Sequence, residues 1–255
     1  MKVRVLGCSG GIGQNTATTS FLVDDDILID AGTGVCDLSL DEMRRIKHIF
    51  ITHSHLDHVA SLPLLADTLF DDLITQPLIV HALAETIKAL QEHIFNWTIW
   101  PDFTALPDKE NAVLKLEAVT AGSVIELSGR NIEMIAVNHS VPAVAYRVES
   151  EGKAFAFSGD TTSNDNLWLS LNKHDALDLL FVESAYADND IELAKIAMHY
   201  CPQLLAQDLP KLKHNSKVCI SHLKPGAELE IIEQCKTALP DRDVQQLKTG
   251  DIFEL

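Results

Sequence analysis

The sequence predicts a layered α/β or α+β domain, and three observations carry that expectation. The 255 residues are 46% hydrophobic, enough for one large domain with a substantial core. The stretch from Val113 to Phe157 is a succession of short strand-like runs. The last hundred residues then alternate helix-like and strand-like segments, so helices must cover sheet faces.

In chain order, "KVRVLG" alternates apolar and polar residues up to a glycine, the period of a half-buried strand. "TSFLV" and "ILID" flank the turn Asp24-Asp25-Asp26 as a hairpin, and "HIFITH" is a nearly continuous apolar run, the mark of a buried strand. Leu83, Ile87, Leu90 and Ile94 recur at helical spacing in "LAETIKALQEHIFN". Five strands follow, "VLKLEAV", "SVIEL", "NIEMIAV", "AVAYRV" and "KAFAF", divided by turns such as Ser128-Gly129-Arg130-Asn131 and Glu151-Gly152. "NDNLWLSL" reads as helix and "LDLLFVES" as strand. Residues 191–212 read as mostly helix, with Pro202 starting a second piece, and "KVCIS" and "AELEIIEQCKTAL" as strand and helix. No linker or low-complexity tract divides residues 1–255, so a single domain is expected.

Twenty basic and 37 acidic side chains give a net charge of −17 without any cluster of Lys or Arg. Such a surface repels polyanions, which argues against a grip on long nucleic acid but leaves room for a small anion held by metal ions. The opening "MKVRVLGCSG" has too short an apolar stretch for a signal peptide, and no segment is long and uncharged enough to span a bilayer, so a cytoplasmic protein without membrane partners is expected. The five cysteines are widely spaced with no Cys-x-x-Cys pair, and read as small buried apolar residues.

The unusual polar residues stand where strands run out: His53 after "HIFIT", His139 after "NIEMIAV", Asp160 after "KAFAF" and His222 after "KVCIS". Strand ends on one edge of a sandwich converge, and a rigid scaffold can build a site there from distant positions. In "HSHLDH", the two-residue spacing puts His53 and His55 on one side before the chain turns into a helix at Asp57 and His58. One strand end can therefore serve two cations. Imidazole and carboxylate ligands suit zinc, manganese or iron. The lone His81, His93, His174 and His214 read as ordinary hydrogen-bonded polar residues.

His-x-His-x-Asp-His followed by single His, Asp and His residues at later strand ends resembles the metallo-β-lactamase superfamily over nearly the whole chain. The resemblance implies an α+β fold, an αββα four-layer sandwich, with two divalent metal ions, zinc foremost, at one edge. His53, His55 and His139 would hold the first, Asp57, His58 and His222 the second, and Asp160 would bridge them. Asp30 matches an acidic position that supports the site in relatives; alone, it reads equally as a turn aspartate.

A narrower resemblance rests on "HIFNWTIWPDFTALP", "FVESAYADNDIELAKIAMHYCPQLLAQDLPKL" and "ISHLKPGAE", which look like class II cyclic-nucleotide phosphodiesterases. Ser61 stands where that family usually has Gly, and Tyr186-Ala187 where Phe-Pro is common. The resemblance implies hydrolysis of 3′,5′-cyclic nucleotides, cAMP first, to the 5′-monophosphate by a hydroxide shared between the two cations. The candidate catalytic residues are Asp57, Asp160, Glu183 and His199. His199 in "MHYCP" reads as general acid or as a helix-end histidine, and Glu183 as its support or an alternative acid. Asn96, Trp97, Trp100 and Phe103, with Phe95, form a polar and aromatic segment that could hold a purine, although core packing or a homodimer contact is the commoner use of such a cluster. The glycines of "GCSGGIG" fit neither phosphate-loop spacing and read as a tight turn near the site.

Three other readings compete. A tRNA 3′-end ribonuclease shares "HSHLDH" and the His139-x-x-Pro142-x-x-x-Tyr146-Arg147 pattern, but the flexible basic arm expected for tRNA is missing. A lactonase or esterase of the same fold and a metal-dependent nucleotide sensor are the remaining two.

Overall fold

A computed structural model describes residues 1–255. Two seven-stranded sheets stand face to face. The first contains β1 (Lys2–Gly7), β2 (Ser20–Val23), β3 (Ile27–Ile29), β4 (His48–Phe50), β5 (Leu78–Ala82) and β6 (Leu114–Ala118) in chain order. The second contains β7 (Val124–Leu127), β8 (Arg130–Val137), β9 (Ala143–Ser150), β10 (Lys153–Phe157), β11 (Leu179–Glu183), β12 (Lys217–Ser221) and β13 (Val244–Gln246), again in chain order. The last strand, β14 (Ile252–Glu254), returns to pair with β1.

Both sheets follow the same plan. Antiparallel pairings join the first four positions (β14-β1-β2-β3 and β7-β8-β9-β10), and parallel pairings join the rest (β3-β4-β5-β6 and β10-β11-β12-β13). The central parallel strands β3 and β11 are buried at every residue, which is why their sequences run apolar without alternation.

Helices cover the outer faces. α1 (Leu40–Met43), α2 (Leu56–Val59), α3 (Leu62–Thr68), α4 (Phe70–Leu73) and α5 (Ala84–His93) lie within the first half of the chain. α6 (Asn166–Leu171), α7 (Ile191–Ala197), α8 (Pro202–Asp208) and α9 (Glu228–Ala238) lie within the second. Local chemistry sets several of their ends: Ser39 and Glu42 form a reciprocal capping box on α1, and Pro202 sits in the first turn of α8, where its missing N–H costs nothing. Three apolar clusters separate the layers. One joins Leu28, Ile49 and Val80 to Val59, Leu65 and Leu90 of the first helices; another joins Leu180, Val182 and Ile220 to Leu167, Leu205 and Ile231 of the second. Between the sheets lie Val3, Phe21, Phe50, Tyr146, Phe157 and Phe181, drawn from both. The arrangement is αββα, and β3, β4, β10 and β12, with β8, which runs the same way as β10, leave their C-terminal ends at one edge.

The structure departs from the sequence reading in several places. β5, β13 and β14, and helices α1, α3 and α4, have no counterpart in that reading. The strand at "HIFITH" ends at Phe50, whereas residues 191–212 agree with the reading, forming two helices, the second begun by Pro202, and a terminal 3-10 turn. Cys8, Cys201, Cys219 and Cys235 are buried, but Cys36 is exposed, because it lies in a short 3-10 turn at the surface instead of a strand. No helix is long and apolar enough to cross a membrane.

Candidate metal centre

The edge where the strands end gathers seven side chains. After β4 the chain bends at Thr52 and reaches His55, the extended residue at the N-cap of α2, and α2 then carries Asp57 and His58 in its single turn. His139 follows β8 by two residues, Asp160 follows β10 by three, and His222 directly follows β12. Ligand atoms of His53, His55, His139 and Asp160 lie within 4.8 Å of one another, as do those of Asp57, His58, His222 and Asp160. Asp160 is common to both groups. Its Oδ2 is 3.7 Å from His53 Nε2 and 3.3 Å from His58 Nε2, and its Oδ1 is 3.3 Å from His222 Nδ1. His139 Nε2 and His55 Nδ1 face each other at 3.2 Å.

The outer ring nitrogens are engaged, which leaves the inner ones free. His58 Nδ1 donates to Asp30 Oδ2 (2.6 Å), His139 Nδ1 to the Met198 carbonyl (3.0 Å), and His53 Nδ1 to Thr52 Oγ1 (3.0 Å). Thr52 in turn donates its amide and hydroxyl to the Asp30 carboxylate (2.8 and 2.9 Å). Such outer hydrogen bonds fix the tautomer and aim of an imidazole ligand. Inside the ring, His53 Nε2, His58 Nε2, Asp160 Oδ1 and His222 Nδ1 are buried without a hydrogen-bond partner of acceptable geometry. Leaving four such atoms unpaired in a folded interior is costly, and divalent cations, which take imidazole and carboxylate ligands, would satisfy all four. The donor set therefore fits two cations sharing Asp160.

Electrostatics agree with this at three of the imidazoles, whereas the Asp160 and Asp30 carboxylates, against burial, raise His58 well above the usual histidine range. Burial pushes His53 well below the usual histidine range, His139 down to about 4 and His222 down to about 3, so all three are neutral at pH 7 with lone pairs to offer. Burial opposes ionisation of Asp160, but His222 and His58 outweigh it and hold the carboxyl well below the usual range. Asp57 and His55 are the least buried of the seven, so the centre opens to solvent on their side.

A third group, Asp160, Glu183 and His199, adjoins the other two. Glu183 is fully buried. Its Oε1 accepts from His199 Nδ1 (2.7 Å) and the Thr161 amide (2.8 Å), and its Oε2 from the Ala185 and Tyr200 amides (3.1 and 3.3 Å). His199 stacks on His222 at 5.2 Å and meets His139 edge-on at 4.9 Å. Burial works against its charge, yet the Glu183 carboxylate and Asp160 raise it above the ordinary histidine range. Backbone strain collects here as well. Asp30, Met198 and His222 adopt left-handed φ values of 59°, 58° and 60°, and Gly159 before Asp160 has 59°. Residues with a Cβ hold such values only where surrounding structure enforces them, and functional sites are where they concentrate.

Residues 25–239 match the family described as the Beta-lactamase superfamily domain. The chain belongs to the β-lactamase superfamily. Within that superfamily it is similar to a probable 3′,5′-cyclic-nucleotide phosphodiesterase of Yersinia pestis, 26% identical over 88% of this chain and 78% of the relative. It is likewise similar to a 3′,5′-cyclic-nucleotide phosphodiesterase of Aliivibrio fischeri, 28% identical over 86% of this chain and 80% of the relative. The crystal structure of unliganded yeast PDE1 superposes with a TM-score of 0.84 at 18% identity, covering 100% of this chain and 99% of that one, a likeness of fold. The αββα sandwich is thus the metallo-β-lactamase fold, and this superfamily member is a metal-dependent hydrolase.

The remaining candidates that the sequence of this β-lactamase-superfamily chain suggests divide by position. Phe103 is 3% exposed in the outer core and has no face for a ligand; it is a packing residue. Trp100 packs partly buried against the same core. Asn96 is spent on its own loop, its Oδ1 accepting from the Thr98 and Ile99 amides (3.0 and 2.8 Å) and its Nδ2 donating to the Glu92 carbonyl (3.0 Å). Only Trp97, 63% exposed, presents a free ring. A groove of about 360 Å³ is lined by Ser54, Leu56, His93, Ile94 and Ile99, and Trp97 is not part of its wall. His81, His174 and His214 are hydrogen-bonded to His48, Glu133 and the Leu171 carbonyl. Sequence reasoning missed Thr52 and Met198. A threonine beside a histidine could have been suspected, whereas the Met198 carbonyl is backbone and leaves no mark in the sequence.

Proposed function

We propose that the protein hydrolyses 3′,5′-cyclic nucleotides, cAMP among them, to 5′-monophosphates with two divalent cations, zinc foremost, in the cytoplasm. The observation that carries this reading is the pair of candidate ligand groups sharing Asp160 in a chain that is similar to cyclic-nucleotide phosphodiesterases over 88% and 86% of its length. His53, His55 and His139 would hold one cation, Asp57, His58 and His222 the other, with Asp160 between. When bound, the pair supplies a water of lowered pKa and charge stabilisation at phosphorus.

The chain's own residues supply the rest. His199, its Nδ1 tied to Glu183 and its pKa raised against burial by the Glu183 and Asp160 carboxylates, stands beside the cluster and would give its Nε2 proton to the departing 3′-oxygen. Glu183 is a positioning residue: with both oxygens accepting, it fixes the ring and stabilises its cationic form. The net charge of −17 disfavours polynucleotides away from the site, while a cyclic nucleotide carries one negative charge and needs only the local centre.

The experiment is hydrolysis of cAMP and cGMP by metal-replete protein, with 5′-monophosphate as the scored product. Asp160→Asn should abolish it. His199→Ala should lower kcat by about 10²–10⁴ on cAMP but far less on bis(p-nitrophenyl) phosphate, whose leaving group needs no proton. Native protein that turns over neither nucleotide would sink the reading, and equal losses on both substrates would remove His199 as the acid.

A further inference from the structure

The glycine segment Gly7-Cys8-Ser9-Gly10-Gly11-Ile12-Gly13 has no part in the chemistry above, yet it runs along the end of β12. The His222 amide donates to the Cys8 carbonyl (2.7 Å), and the Gly10 amide donates to the Leu223 carbonyl (3.0 Å). Ser9 and Leu223 form a parallel bridge, and Lys224 Nζ reaches back to the Gly10 carbonyl (2.9 Å). Three consecutive residues beginning with His222 are therefore gripped by three consecutive residues of the segment.

His222 needs that grip. Its φ of 60° is one that a residue with a Cβ keeps only under outside restraint. The restraint is closest at Gly10, where a Cβ would lie 2.6 Å from the His222 carbonyl oxygen and 3.1 Å from ring atom Cδ2. Only glycine lets the backbone abut the ring this closely. The imidazoles of the other group are held differently: His53, His55 and His139 meet one another at ring separations of 4.6 and 4.9 Å, and His139 is fixed by the Met198 carbonyl.

We propose that the glycine segment is a positioning element for His222 and so sets the affinity of one cation position independently of the other. The proposal rests on the two-cation reading of the centre. Lys224 tightens the same grip from the far side, through Gly10.

The test is a titration of chelator-stripped full-length protein with Co²⁺, followed by visible absorption and calorimetry, together with melting of the metal-free forms. Gly10→Ala should weaken one binding step by about tenfold to a hundredfold and leave the other within about twofold. Lys224→Met, which removes the tether and touches no ligand, should weaken the same step by a smaller factor. A Gly10→Ala protein that melts like the native one and keeps both affinities overturns the proposal. Equal weakening of both steps overturns it too, since the segment would then serve the whole fold. Should Gly10→Ala not fold, Lys224→Met decides, and unchanged stepwise affinities overturn the proposal. Native protein that takes up a single ion would instead refute the two-cation reading, before any variant is compared.

Discussion

At the scale of single residues, the centre is held by backbone conformations that most side chains avoid. Gly159 is the clearest case: at φ 59°, a Cβ there would sit 2.6 Å from the Val144 carbonyl oxygen and 3.3 Å from Thr52 Cβ. Gly159→Ala should therefore destabilise the fold by about 1–3 kcal/mol from the dihedral alone, with the clash in addition, and displace Asp160. Urea unfolding and metal content after dialysis would check this, and a variant with native values for both would refute it. The clustered side chains themselves stand out in the sequence, because an imidazole or carboxylate closing an apolar run contradicts its surroundings and demands a reason, and the structure brings all seven to one edge. Their supports are not: in sequence Asp30 reads equally as a turn residue, and Glu183 as an acid. Phe103 misleads because an aromatic near a site looks the same in sequence whether it faces a ligand or a core.

At the scale of elements, the two sheets are clasped at a point away from the ligands. Arg130, at the start of β8, donates to Asp24 Oδ2 (3.1 Å) and forks onto Asp26 (2.5 and 2.9 Å) in the β2–β3 turn. The hydrogen bond from Arg130 is the largest influence on Asp26, and with the guanidinium charge it lowers the carboxyl below the usual range despite partial burial. The folded pKa thus lies below the unfolded value, so the clasp contributes fully above about pH 4 and fades as pH falls through the folded value. Asp26→Asn should accordingly be less stable than native protein at pH 7, with the gap narrowing as pH falls below about 4, in denaturant titrations across that range. A stability gap that does not change with pH would count against the clasp. Elements with a clear period are legible: the alternation of "KVRVLG" and the helical spacing of "LAETIKALQEHIFN" both lead to the observed structure. β5 is not, because "LIVHA" is five residues joined directly to the helical pattern of α5 and offers no turn signal between them. β13 and β14 are three-residue edge strands, too short for any period and defined only by the neighbours they pair with.

At the scale of the whole molecule, four of the seven candidate ligands follow β4 of the first sheet, and three follow β8, β10 and β12 of the second. Cation binding therefore reports on the docking of the two halves. Stripping the ions with a chelator should lower the melting temperature by about 5–10 °C for each ion removed, from about 2.7 kcal/mol of linkage per site at a hundredfold excess over Kd and about 2–4 °C per kcal/mol at this size. Calorimetric scans before and after chelation would check it, and coincident melting curves would mean that the halves dock without help. The aromatic layer between the sheets then acquires a second meaning. Phe21 of β2 meets Phe157 of β10 and Phe181 of β11 at 4.8 and 5.2 Å, and the Tyr146 hydroxyl of β9 donates to the Ile51 carbonyl (2.9 Å), two residues before His53. These rings act as the jaws of a calliper. Their thickness fixes the gap across which the imidazoles must reach, so trimming one, as in Phe21→Leu, should retune ion affinity from within a dry interior that no ion or substrate ever enters.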